Sequence, residues 1–176
     1  MKLTIACFLL IILSSCASTK VVPLKGVYPE PPIITKSDRS FDKVWEKTVD
    51  YFAENGIPIK IIDKSSGLII SDKTKLSWTF EKKDGFVFNP KSFVVLHQII
   101  DKMHGKPYSP TTVTGEWNIR IKAIGNETSI NVNLYNIEAT YGQYYYSSYS
   151  HSVISPVKVE GKTTGIFEKS FEEAVK

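Results

Sequence analysis

The segment that most constrains the fold is the run from Val113 to Ala123, in which apolar or small residues alternate with polar ones without a break. Such a period of two places successive side chains on opposite faces of a strand. The run therefore predicts a strand with one dry face and one wet face, as in an antiparallel sheet that meets solvent on one side. Gly125 and Asn126 predict a turn, and residues 128–139 are expected to pair back along the same strand.

The return strand is expected to contain an irregularity. Its apolar residues keep one phase up to Leu134 and take the opposite phase from Tyr135 onwards. A strand with a side-chain period of two cannot change phase in this way without a bulge or a bend. The sequence thus predicts a long antiparallel hairpin whose second strand is interrupted near its middle.

Residues 41–55 have the clearest helical pattern in the chain. Apolar residues recur there with the spacing of one buried helix face, and Trp45 lies at its centre. Ser40 is a suitable N-cap, and Gly56 is placed to end the helix. The strands predicted to follow are residues 57–63 and 68–72, which form a hairpin, and residues 75–81.

The segment from residue 86 to residue 110 admits two interpretations. Asn89 and Pro90 have the character of an N-cap and a first helical residue, and Gly105 has that of a helix stop. Against this, Val94 and Val95 are β-branched and suit a strand. We predict a helix here and keep a strand as the alternative.

A last helix is predicted from Thr163 or Thr164 to Val175, with Phe167 and Phe171 on its inner face. Antiparallel strands flanked by helices predict an α+β fold, with a single antiparallel sheet and helices packed on one face. The chain has 176 residues and contains no internal repeat. Its length suits one domain, which we assign to residues 38–176.

The first residues carry the features of an export signal. Lys2 is followed by an apolar run from Leu3 to Leu13, which has the length of a signal-peptide core and is too short to span a bilayer. The motif Leu13-Ser14-Ser15-Cys16 that closes this run resembles a bacterial lipobox. That resemblance implies a signal peptide over residues 1–15, cleavage before Cys16, and attachment of diacylglyceryl and N-acyl chains to this cysteine.

Residues 16–37 are predicted to form a tether between the lipid and the domain. They contain several prolines and no apolar period, and proline favours an extended conformation. The lipobox resemblance also bears on location. Ala17 and Ser18 lack the aspartate that retains some lipoproteins at the inner membrane, so we expect a lipid-anchored protein of the bacterial cell envelope, at the outer membrane.

Composition excludes several classes of function. The only cysteines are Cys7, which precedes the cleavage point, and Cys16, so the mature domain is expected to have no thiol nucleophile, disulfide or zinc-binding cysteine. The formal net charge of +4 is spread along the chain, and we expect no nucleic-acid binding. One lysine cluster is interpreted as a solvated face, with weak attraction to anionic head groups as the alternative. Its members are Lys73, Lys75, Lys82 and Lys83.

Several stretches resemble a known family. Residues 41–45, 56–59 and 63–69 read FDKVW, GIPI and DKSSGLI, in the order of a helix followed by a hairpin. Together with TGIFE at residues 164–168, they resemble envelope lipoproteins similar to the C component of the outer-membrane β-barrel assembly machinery. The resemblance implies a helix-grip domain, in which helices lie on an antiparallel sheet, and an envelope location.

The chain shows no pattern typical of a catalytic or metal site. His97 and His104 are seven residues apart, whereas zinc ligands are usually closer together and joined by a carboxylate. Pairs such as His97 with Asp101, or Glu116 with Arg120, occur by chance in most chains. We therefore expect no enzymatic activity, no cofactor and no metal.

A tyrosine-rich segment is the best candidate for a contact surface. Tyrosine offers flat apolar area with a polar tip, which suits recognition of a protein or a glycan. Three of these tyrosines are consecutive, so no strand or helix can bury all three on one face. Packing of the rings along a sheet edge is the alternative. The candidate surface comprises Tyr141, Tyr144, Tyr145, Tyr146 and Tyr149.

Two functions are carried forward. The first is a non-enzymatic interaction or assembly role for a membrane-anchored lipoprotein, with an envelope protein or a cell-wall glycan as partner. The alternative is a periplasm-facing binder of a small apolar or glycan ligand between sheet and helix. A cavity lined by Trp45, Trp78 and Trp117 would favour the ligand binder. A filled core with an exposed aromatic edge would favour the interaction role.

Overall fold

The computed structural model describes residues 19–102, 105–144, 151–153 and 157–176. The predicted signal peptide (residues 1–15) and Cys16 lie outside these ranges. The two helices of the described chain are α1 (Phe41–Glu54) and α2 (Ile166–Val175). Its strands are β1 (Thr19–Val22), β2 (Ile33–Ser37), β3 (Ile59–Asp63), β4 (Leu68–Ser71), β5 (Thr74–Lys75), β6 (Trp78–Phe80), β7 (Val94–Leu96), β8 (Gln98–Asp101), β9 (Pro110–Ile124), β10 (Glu127–Tyr144), β11 (His151–Val153), β12 (Val157–Lys158) and β13 (Gly161–Thr163).

The largest sheet is built on the long hairpin of β9 and β10, which confirms that prediction. The strand order is β11-β10-β9-β4-β3, with β2 and β12 also pairing with β10 and β5 pairing with β9. Pairing between β9 and β10 is regular as far as Tyr135 opposite Glu116 and resumes at Glu138 opposite Thr114. The predicted irregularity of the return strand is therefore confirmed, and it lies at residues 136 and 137.

Two smaller sheets complete the fold. β1 pairs with β8 in an antiparallel ribbon. β7 lies between β13 and β6, and its pairing with β6 is parallel. The described chain is therefore mostly β, with several sheets and two helices. The predicted α+β fold, a single antiparallel sheet with helices packed on one face, is wrong.

Much of this error comes from the segment between Asn89 and Gly105, which we predict to be a helix. It forms β7 and β8 instead. Val94, Val95 and Leu96 are each at most 1% exposed. An amphipathic surface helix cannot bury three consecutive residues, whereas a strand with neighbours on both edges and covered faces buries all of them. The β-branched valines therefore indicated the correct alternative.

Two parts of the segment predicted to be a tether, residues 16–37, form strands. Residues 19–22 form β1 and pair with β8, and residues 33–37 form β2 and pair with β10. The prolines lie in the connection between these two strands, at Pro23, Pro29, Pro31 and Pro32. Proline is tolerated there because a connection needs no donor for a strand ladder.

The main core lies between the helices and the largest sheet. Trp117 on β9 is fully buried, and its ring stacks on Phe167 of α2 with 3.6 Å between ring centroids. Trp45 and Phe52 are buried on the inner face of α1. Aromatic side chains thus fill the space between the helices and the sheet. No helix in the described ranges is long and apolar enough to cross a membrane.

Candidate interaction surfaces

Only one residue of the tyrosine-rich candidate surface has a described side chain. Tyr141 lies near the end of β10, is half-buried, and meets the edge of the Tyr108 ring with 6.4 Å between centroids. Burial raises the pKa of Tyr141. This ring packs along the sheet. The backbone of Tyr144 belongs to β10, and its side chain lies outside the described part of the chain, as do Tyr145, Tyr146 and Tyr149.

A polar cluster lies at the irregularity in β10, around one buried carboxylate of β9. Glu116 is only 5% exposed, although the alternation of β9 predicts it on the wet face. It accepts hydrogen bonds from the Tyr135 hydroxyl (2.9 Å) and the Asn136 side-chain amide (3.4 Å). Asn136 has a φ of 50°, a left-handed conformation that asparagine tolerates better than most residues. Tyr135 faces the carboxylate as its partner across the β9–β10 ladder, and Asn136 reaches it from the bulge.

The same cluster perturbs the ionisation of Tyr135. Burial, together with the hydrogen bond to Glu116 and the negative charge of that carboxylate, raises the pKa of Tyr135 to about 12. The hydroxyl is therefore neutral and remains a donor at any physiological pH. The pairing suits a structural role for Tyr135, because a general base needs a pKa near the working pH.

An open groove of about 460 Å³ lies next to this cluster. Apolar and charged side chains both line it, and His97 Nδ1 lies 3.8 Å from Glu160 Oε2. The Lys162 ammonium pairs with Glu30 from the connection between β1 and β2. The groove offers hydrogen-bond donors and acceptors on a shallow surface, which suits contact with a polar partner. Its lining includes His97, Tyr135, Asn136, Lys158, Glu160 and Lys162.

The residue pairs considered as possible dyads are not brought together in a catalytic arrangement. His97 and Asp101 do not share a helix turn: His97 lies between β7 and β8, and Asp101 ends β8. Glu116 and Arg120 are separated along an extended strand, β9. His104 lies outside the described residues. Within the described ranges, no group of three or more histidine, cysteine or acidic side chains is placed to hold a metal ion.

A second surface feature is the hairpin of residues 80–88, called here the Phe hairpin. The Lys82 amide donates to the Phe86 carbonyl (2.6 Å), and the Phe88 amide donates to the Phe80 carbonyl (3.0 Å). Gly85, with a φ of 89°, lies in the turn. Phe86 and Phe88 are 72% and 64% exposed, which is unusual for phenylalanine in a small domain.

Glu81 fastens the N-terminal segment to the Phe hairpin. Its carboxylate accepts hydrogen bonds from the amides of Lys25 (2.8 Å) and Gly26 (2.6 Å) and from the Tyr28 hydroxyl (2.9 Å). Burial acts to raise the pKa of Glu81, but these hydrogen bonds outweigh it and hold the pKa below its ordinary value. The residues that follow β1 are thus bound to the domain by charge-assisted hydrogen bonds.

Gly26 is necessary for this contact. A Cβ atom at this position would lie 2.6 Å from the Gly85 carbonyl oxygen and 2.8 Å from the Glu81 carboxylate. No side chain fits in that space without moving the backbone of the turn. The glycine therefore allows the segment to approach the Phe hairpin closely enough for its amide to reach Glu81.

Sequence reasoning did not single out the Phe hairpin as a surface. The signal was present, because Phe86 and Phe88 directly follow the Asp84–Gly85 turn, where polar residues are usual. Their exposure could not be derived from that signal alone. Alternation along a strand shows that the two rings share a side, but it does not show whether another element covers them.

The chain was compared with known families and proteins. No protein-family model matches it, and no curated protein matches it in sequence.

Proposed function

We propose that this chain is a lipid-anchored lipoprotein of the bacterial cell envelope that acts by contacting a partner rather than by catalysis. The anchor is supported by the apolar run that ends in Leu13-Ser14-Ser15-Cys16. Its lipid chains would supply about 0.8 kcal/mol per buried methylene, enough for stable attachment when several chains are present. An outer-membrane location and a partner that is an envelope protein or a cell-wall glycan belong to the same proposal.

The observation that carries the interaction role is the filled interior of the domain. A binder of small ligands needs a cavity between sheet and helix, and the described residues fill that space with Trp117, Phe52, Phe167 and Phe171. Aromatic residues appear instead at the surface, on the Phe hairpin. A domain with a packed core and exposed apolar residues is suited to contact a partner through its surface.

The groove beside the β10 bulge is the best site for a polar partner. It is open, lined by both cationic and acidic side chains, and adjoins the hydrogen-bonded cluster of Glu116, Tyr135 and Asn136. β10 continues from this groove to Tyr141, where the predicted tyrosine surface begins. A protein loop or a glycan could therefore make contacts along this strand.

The anchor and the contact can be tested together in intact envelopes. In wild-type protein, mass spectrometry is expected to find a mature N-terminus at Cys16 that carries acyl chains. A photoreactive residue at Lys158 in the groove is expected to crosslink to a partner, whereas one at the exposed Lys47 of α1 is not. Cys16→Ser should leave an unlipidated precursor.

Cys7→Ser is the matched control, because this cysteine lies in the segment predicted to be removed. It should leave lipidation and fractionation unchanged. A wild-type chain with an unmodified N-terminus would contradict the anchor. Equal crosslinking from positions 158 and 47 would contradict the assignment of the groove as the contact site.

A further inference from the structure

The Phe hairpin presents an apolar surface next to positive charge. Phe86 and Phe88 flank Val87, which forms an antiparallel bridge with Glu81, so in this extended backbone their side chains point to the same side of the hairpin. The Lys82 ammonium lies over the Phe88 ring, 5.8 Å from its centroid. Val27, from the segment held by Glu81, is fully exposed. Val27 and Phe86 line a second groove, which is separate from the groove beside the β10 bulge. Exposed large apolar residues seldom cluster in this way without a partner.

The charge around these residues identifies the chemistry of the partner. Lys82 and Lys83 in the hairpin and Lys25 beside it are exposed, and the Lys25 ammonium reaches the Lys83 carbonyl at 3.4 Å. The one exposed carboxylate of the hairpin, Asp84, accepts a hydrogen bond from the Phe86 amide (3.2 Å), so the local charge remains positive. The Glu81 carboxylate is already occupied by its three hydrogen-bond donors. Phenylalanines flanked by lysines are typical of protein surfaces that enter the interfacial region of an anionic bilayer.

The position of the hairpin along the chain supports the same partner. Cys16 precedes Thr19, the first described residue, by three residues, which span at most about 10 Å. The chain then forms β1 and reaches Lys25, nine residues from Cys16 and therefore at most about 30 Å from it. Exposed Lys20 on β1 and Lys106 after β8 extend the positive charge along this path.

We infer that the Phe hairpin docks on the membrane surface, with Phe86 and Phe88 entering the headgroup region and the neighbouring lysines contacting anionic lipids. This inference rests on the proposed lipid anchor at Cys16, which holds the hairpin close to one bilayer. The hydrogen bonds of Glu81 fix the segment after β1 to the hairpin. Anchor and hairpin therefore orient the domain, so that other faces point away from the lipid.

The test uses the full acylated protein, purified from membranes and reconstituted into phosphatidylcholine vesicles with or without phosphatidylglycerol. The mature chain is expected to have no free thiol, so Phe86→Cys accepts an environment-sensitive fluorophore at one position. Ile124→Cys is the matched control, because Ile124 is 55% exposed at the β9–β10 turn, far along the chain from the Phe hairpin. Lipids with a quencher near the headgroup report contact with the bilayer.

In vesicles that contain phosphatidylglycerol, the label at position 86 is expected to shift to the blue and to be quenched, while the label at position 124 stays in water. Lys82→Gln and Lys83→Gln should each weaken the docking equilibrium about fivefold, because a lysine near an anionic surface contributes about that factor. Circular dichroism checks that these exposed substitutions leave the fold intact.

The outcomes separate the inference from the proposed function. If the protein is acylated and bound to vesicles but position 86 remains in water, the docking inference is overturned and the anchor stands. Equal quenching at positions 86 and 124 also overturns it, because the contact would then lack orientation. If mass spectrometry shows that the purified chain carries no acyl group, the proposed anchor itself fails.

Discussion

At the scale of single residues, three shielded glutamates have very different surroundings. Glu81 has three hydrogen-bond donors and Glu116 has two. Glu168, in the first turn of α2, is 4% exposed and accepts one hydrogen bond, from the Thr163 hydroxyl to Oε2 (2.8 Å). Its other oxygen, Oε1, has no partner within the described part of the chain. Glu168 is therefore the carboxylate whose charge is least well compensated.

Replacement of Glu168 by glutamine should remove a pH dependence of stability. Burial raises the pKa of Glu168 more than the Thr163 hydrogen bond lowers it. The unfolded chain loses this proton near pH 4.3, the ordinary glutamate value, whereas the folded protein keeps it to a higher pH. The contribution of Glu168 to the unfolding free energy is therefore fully present below about pH 4.3 and is lost as the pH rises through the folded pKa. Glu168→Gln should be at least as stable as wild type at pH 8.

Urea unfolding at pH 4 and pH 8 measures this effect. The difference in unfolding free energy between wild type and Glu168→Gln should grow in favour of the variant as pH rises. Glu173→Gln, an exposed change on the same helix, is the control and should show a constant difference. A pH-independent difference for Glu168→Gln would mean that this carboxyl titrates as an ordinary surface group.

At the scale of elements, the turn between β3 and β4 is joined tightly to the long hairpin. Gly67 has a φ of 69° and is buried. Its carbonyl accepts a hydrogen bond from the Ile121 amide (2.8 Å), so the turn lies against the backbone of β9. A Cβ atom on Gly67 would lie only 2.0 Å from the Ile121 carbonyl oxygen. Glycine is therefore required at position 67 for two reasons: the backbone has a positive φ, and there is no room for a Cβ atom next to β9.

Gly67→Ala should destabilise the protein much more than Gly125→Ala. Gly125 also has a positive φ, 59°, but a Cβ there meets nothing within 4 Å. Both changes carry the left-handed penalty of about 1–2 kcal/mol. Gly67→Ala must also push β9 away, which adds about 1–3 kcal/mol as in an overpacked core. Urea unfolding compares the two, and equal losses would show that the turn can move away from β9 without cost.

At the scale of the whole molecule, one aromatic cluster joins elements from distant parts of the chain. The Phe167 ring of α2 stacks on Trp117 of β9 and meets the edges of Tyr51 on α1 and of Phe93, which precedes β7. The N-terminal segment joins the sheets in a similar way, through β1, the Glu81 contacts and β2. The fold is therefore held together by contacts between residues that are far apart in sequence.

Trp117→Ala should destabilise the whole domain by about 3–5 kcal/mol, because it leaves a cavity under Phe167. Asn118→Ala, the next residue on β9 and half-exposed, should cost under about 0.5 kcal/mol as a surface change. Urea unfolding of the two variants measures the contrast. Similar losses at both positions would show that β9 does not bury one face in the register described here.

The sequence by itself determined the elements whose signals are local. The helical spacing and flanking residues of 41–55 predicted α1 to within one residue. Strict alternation predicted β9, and the change of phase at Tyr135 located the irregularity in β10. The last helix was predicted with its correct end at Val175. In each case the pattern lies within one element, so no knowledge of its neighbours is needed.

Tertiary structure alone decided which segments become neighbours. β7 is a strand because β6 and β13 pair with its two edges. Residues 19–22 and 33–37 are strands because they pair with β8 and β10. Glu116 is buried next to Tyr135 and Asn136 of β10, which lie 19 and 20 residues further along the chain and donate hydrogen bonds to it. Strand pairing joins backbone groups that are distant along the chain, and local patterns do not specify which distant edge is free.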